Sequence, residues 1–112
     1  MRNSMYNLDQ ELDALIEAYK KSDIYQKYLK CRAILLENPE LKAQVDEFRK
    51  KNFEMQNQED DGTLEERVQQ LSDSYLWLTE QPVVRSFLDA ELAFCRMMQE
   101  TTDYVLANIE FD

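Results

Sequence analysis

Only three residues in this 112-residue chain are strong turn formers: Pro39, Gly62 and Pro82. A sheet protein of similar length needs a turn every few residues, and glycine and proline supply most of them. Long runs without either leave helix as the regular structure open to most of the chain. The expectation is an all-α fold: an antiparallel helical bundle of about five helices with a long C-terminal helix, as a single domain over residues 1–112. A chain this short buries a modest core with little stability to spare. Six tyrosines and five phenylalanines weigh against wholesale disorder.

Apolar residues recur at helical spacing. Leu8, Leu12, Leu15 and Tyr19 form a first stripe with Ile16 beside it. Asp9, Glu11, Asp13 and Glu17 come early and Lys20 and Lys21 late, which complements a helix dipole. Ser22 or Asp23 can cap a second helix. With no glycine at the junction, one bent helix is the alternative. Ile24, Tyr28, Cys31 and Leu35 form the next stripe, widened by Tyr25, Leu29 and Leu36. Asn38 then reads as an N-cap and Pro39 as the first residue of a third helix. Its stripe is Leu41, Val45, Phe48 and Met55. Phe53 lies off that stripe by about 120° on a wheel of about 100° per residue.

The polar run "NQEDDG" reads as a loop or a frayed helix end. Thr63 and Glu66 match a capping box for the fourth helix. That helix carries Leu64, Val68, Leu71, Tyr75 and Leu78 on one side and Trp77 on the other. Pro82 opens the last segment, which runs to about Ile109 and would extend about 40 Å. Val84, Phe87, Leu88, Leu92, Phe94, Cys95, Met98, Val105 and Ile109 give it an arc nearly half the circumference wide. So wide an arc touches two or more partners, which makes this the central element of the bundle.

The chain lacks the usual components of catalysis. Without histidine there is no imidazole base or histidine metal ligand. There is no glycine-rich phosphate loop. The stretch "EDDGTLEE" lacks the alternating ligand order of a calcium loop. A carboxylate-bound pair of metals normally uses Glu-x-x-His motifs, and none is present. Glu91 sits at the edge of the last helix's arc, either with its stem covered and its head in water or as a buried ligand or partner-binding acid. The first reading is preferred, because a buried acid needs a partner the sequence does not name. Cys31 and Cys95 have no partner at metal or redox spacing and read as small buried apolar groups. No cofactor is expected. No signal peptide and no apolar run of spanning length precede or interrupt the helices, so the expected location is cytoplasmic, without membrane insertion.

Net charge is −10, and it is uneven. Residues 1–37 carry six positive and six negative charges, whereas residues 63–112 carry three and ten. This balance weighs against a direct grip on nucleic acid. The acidic half is either a solvated surface or a docking face for a basic partner. Arg49, Lys50 and Lys51 are the one concentrated cluster of positive charge. Their spacing pairs them with Asp46, Glu47 and Glu54 on a solvated helix face. Phe53 and Trp77 either fold in where a helix end bends or mark an oligomer or partner surface. These five residues make up the candidate interaction surface.

The arrangement has a likeness. A serine precedes a tyrosine-rich helix, "NPE" starts the next, "FRKKNFEMQ" gives F-R-x-x-x-x-x-x-Q, and "VRSFLDAELAF" gives V-x-x-F-L-x-A-E-x-x-F. Over about residues 5–110 the chain resembles the YlbF/YmcA/YheA family of small helical bacterial proteins, most closely its short YheA-like branch. Longer members carry a cysteine-rich tail associated with an iron–sulfur cluster; here both cysteines lie inside helical stripes. The resemblance implies an all-helical fold, association into dimers or larger assemblies, a cytosolic location and no catalysis. It also implies an adaptor that assembles with family paralogues and a third protein. Through them it would influence RNA processing by the endonuclease RNase Y, and so competence, sporulation and biofilm formation. A helical holdase or secretion-type chaperone with an acidic surface is the alternative.

Overall fold

The computed structural model describes residues 6–58 and 61–109, which form helices and, among these residues, no strand. The helices are α1 (Asp9–Lys21), α2 (Asp23–Leu36), α3 (Pro39–Gln56), α4 (Leu64–Ser74), α5 (Leu76–Thr79) and α6 (Pro82–Ala107). The all-α expectation holds, including the long last helix. The expected fourth helix is two, because Tyr75 leaves helical geometry at φ −112° and ψ 12°. Its amide turns back to the Ser72 carbonyl, while its own carbonyl accepts from Leu78 and Thr79 and starts α5.

Ser22 settles the first junction in favour of two helices. Its backbone is extended, at φ −67° and ψ 147°. Its Oγ donates to the Tyr19 carbonyl at 2.6 Å and accepts the Tyr25 amide at 3.1 Å. One hydroxyl thereby closes α1 and caps α2. Asn38 is the cap of α3, with Oδ1 accepting the Leu41 amide at 3.2 Å and Pro39 at the start. The expected capping box at Thr63 does not form. The Thr63 hydroxyl donates to Asp61, whose carboxylate also accepts the Thr63 amide at 3.1 Å. Thr63 sits at φ −111° and ψ 8°, outside the extended backbone that an N-cap adopts, so its hydroxyl does not accept a first-turn amide. Arg67 closes the turn, its Nε donating to the Thr63 hydroxyl at 3.1 Å and its guanidinium to Gln58. Gly62 holds φ +91°, a conformation that a side chain rarely adopts.

The chain divides into two compact units. One comprises residues 31–89, the other residues 1–30 and 90–112. In the first, Leu35 of α2, Leu41 and Val45 of α3, Leu78 of α5, and Val84 and Phe87 of α6 are buried. Every one of them lies on a stripe that the spacing predicts. In the second, the organising contact is aromatic. Phe94 of α6 meets Tyr25 edge-on at 4.9 Å, Tyr28 at 5.8 Å and Tyr19 at 6.3 Å between ring centres. Edge-to-face pairs add to burial because the ring edge is positive and its face negative.

Several expected core positions are not buried. Leu8, Leu12, Leu15 and Ile16 of the α1 stripe stay between 38% and 50% exposed. On α6, Leu92, Met98 and Val105 are exposed as well, and so is Ile109, which lies past the end of the helix at Ala107. Cys31 is half-buried, and Cys95 is exposed where a buried apolar group was expected. Among the described residues burial ends with Ala90 along α6 and does not reach α1. Phe87→Ala should cost about 3–5 kcal/mol and Asn38→Ala about 1 kcal/mol in urea melts, while Glu17→Ala, at an exposed position of α1, should change little. Equal losses at all three sites would contradict the placement of the core.

Candidate interaction surface

All five candidate residues fall in the unit of residues 31–89, and the structure divides them. Each cation of the α3 cluster has the acidic neighbour that helical spacing predicts. Arg49 reaches Asp46 at 3.8 Å, Lys50 reaches Glu54 at 4.0 Å, and Lys51 reaches Glu47 at 2.9 Å. Exposed pairs of this kind contribute little to stability, and they leave little free positive charge. Arg49 also lies over the buried Phe87 ring at 5.7 Å. Its guanidinium roofs the core, a cation–π contact between residues far apart in sequence.

Lys51 and Trp77 converge on Tyr75. Lys51 Nζ donates to the Tyr75 hydroxyl oxygen at 2.9 Å and lies 5.5 Å from the ring centre. Tyr75 in turn donates to Glu47 at 3.4 Å and packs on Phe48 at 5.0 Å. Trp77 stacks beside it at 6.1 Å and 28° and remains 55% exposed. The result is a ladder of indole, phenol and ammonium. Phe53 is 68% exposed, and among the described residues no ring contact joins it to Trp77. The two off-stripe aromatics are therefore separate features, neither folded into the core.

The electrostatics of the ladder are self-contained. The hydrogen bond from Lys51, then the charge of its ammonium, and lastly the Tyr75 hydroxyl hold the Glu47 carboxyl below its ordinary value of 4.5. The Lys51 ammonium is pushed above its ordinary 10.5, first by the Tyr75 oxygen and then by Glu47. Stability from Glu47 is present above its unfolded value and lost as pH falls through the lowered one. Stability from Lys51 is present below its unfolded value and lost as pH rises through the raised one. Both contributions are intact near neutrality.

The spacing rules missed Tyr75 as the hub. It occupies the α4 stripe like any core residue, and nothing local links it to Lys51, 24 positions away. Among the described residues no group of acids and cysteines stands where it could hold a metal ion. No helix among them is long and apolar enough to cross a membrane.

A family model described as "Control of competence regulator ComK, YlbF/YmcA" matches residues 8–110. No curated protein and no solved structure matches the chain.

Tyr75→Phe removes the hydrogen-bonding hydroxyl and keeps the ring. The Glu47 carboxyl should then titrate at higher pH and the Lys51 ammonium at lower pH, read by carboxyl and ammonium NMR. Unchanged titrations would show that the ladder does not form in solution.

Proposed function

Because the chain belongs to the YlbF/YmcA family, we propose that it is a non-enzymatic regulatory adaptor that works by binding other proteins. Its field of action is RNase Y-dependent RNA processing, and through it competence, sporulation and biofilm formation. Its partners are further copies of itself, family paralogues and RNA-processing proteins, and it works in the cytoplasm without touching nucleic acid directly.

One observation carries this reading: the apolar stripe of α1 stays open to solvent although its spacing is that of a packed helix. Leu8, Leu12, Leu15 and Ile16 recur as residues of a buried face do, yet no residue of α1 is buried. Exposed apolar groups in a continuous helical stripe mark interaction sites rather than solvent-facing surface. The exposed apolar residues of α6 beyond Ala90 support the same reading. The self-paired cations of α3 support the exclusion of nucleic acid, since a phosphate backbone is gripped by unpaired positive charge.

Affinity capture from the native bacterium, with RNA digested beforehand, tests the adaptor. Recovery of a paralogue or a defined RNA-processing protein in fixed proportion is expected. A broad set of unfolded clients would overturn it in favour of a holdase.

A further inference from the structure

An open cleft of about 820 Å³ lies where the end of α3 meets α4. Gln56 lines it from α3, and Leu64, Glu65, Glu66, Val68 and Gln69 line it from α4. Leu64 and Val68 are one turn apart, so their side chains form an apolar strip along one face of the helix. Glu65 and Glu66 share the cleft with that strip. Two acids in a first helical turn are favoured by the helix dipole. The dipole does not account for their place beside an apolar strip that opens to solvent.

The pairing pattern separates these acids from three acids of α3. Asp46, Glu47 and Glu54 each have a cation of their own helix within 4.0 Å. Among the described residues, Glu65 and Glu66 have no ion pair. Residues 63–112 hold ten acidic residues and three basic ones, so the surrounding chain offers them few cations. Apolar residues one turn apart beside unpaired carboxylates are the complement of one kind of surface. That surface is a helix with leucine-like residues at i and i+4 and lysine or arginine alongside. A second, smaller cleft of about 180 Å³, lined by Cys31, Ile34, Pro82, Val83 and Ser86, has no charged group to select an occupant.

We propose that the α3–α4 cleft receives a basic amphipathic helix of a partner protein, its apolar face on Leu64 and Val68 and its cations on Glu65 and Glu66. The proposal rests on the adaptor reading and names the chemistry of its partner. A nucleic acid does not fit, because its phosphates would meet the carboxylates.

The test uses the purified full chain and needs no cellular partner, so its outcome is separate from that of the capture experiment. The probes are two designed helical peptides of about 14 residues, four turns of helix. Both repeat leucine at i and i+4; one carries lysine alongside and the other glutamate. Titration with the lysine peptide should shift the amide resonances of Leu64 to Gln69. Glu65→Lys combined with Glu66→Lys should weaken that peptide by about tenfold or more and confer binding of the glutamate peptide, because rim charge sets partner choice. The same two reversals at Glu100 and Asp103 should leave binding at the cleft unchanged. Shifts located elsewhere, or an affinity insensitive to Glu65 and Glu66, would overturn the proposal. Concentration-dependent shifts of these resonances without peptide would assign the cleft to a second copy of the chain and overturn it equally.

Discussion

Burial of Leu35, Val45, Leu78, Val84 and Phe87 is the interaction on which the rest of the unit of residues 31–89 depends. These side chains come from four different helices, so the core cannot form until the turns at Asn38, Gly62 and Pro82 bring those helices back on themselves. The turns therefore matter more than helix propensity, which the sequence supplies in excess. Asn38 and Pro39 make the first return with a side-chain cap and a preset backbone angle. At the second, Asp61, Thr63 and Arg67 form a polar clasp around the single glycine. The Asp61 carboxyl is held below its ordinary value, foremost by the Thr63 hydroxyl.

The same core is small. Among the described residues more large apolar side chains are exposed than buried. A chain of this length has a high ratio of surface to volume and commonly gains stability by association. The surface charges sort accordingly. The cations of α3 are paired along their own helix and contribute to solubility more than to recognition. Glu65 and Glu66 of α4 have no ion pair among the described residues and border the apolar strip of the cleft. Recognition is thus proposed for the apolar stripes and for the two carboxylates of the α3–α4 cleft.

The helices and most of the core were legible in the sequence because both follow from periodicity, which is local. Leu35, Val45, Phe87 and the α3 ion pairs fall where the spacing rules put them. The Asn38 cap was legible for the same reason, since its acceptor and donor lie three residues apart. The rest needed the tertiary structure. The Thr63 box failed because the Thr63 backbone is not in the extended cap geometry and its hydroxyl oxygen accepts from Arg67. The helix break at Tyr75 has no glycine or proline to announce it, and its ring answers to Phe48 and Lys51 of another helix. The stripe of α1 was legible as apolar, but periodicity states only that a face seeks cover and not whether the same chain supplies it. Of the candidate surface, Lys51 and Trp77 meet at Tyr75, whereas Phe53 stands apart.

Whether α1 finds its cover in another copy decides the account. Sedimentation velocity of the purified chain at micromolar concentration measures this directly. The account predicts a dimer or larger species, with Leu12→Asp and Leu15→Asp together shifting the population to monomer while helical content is retained. A wild-type chain that sediments as a monomer would contradict it.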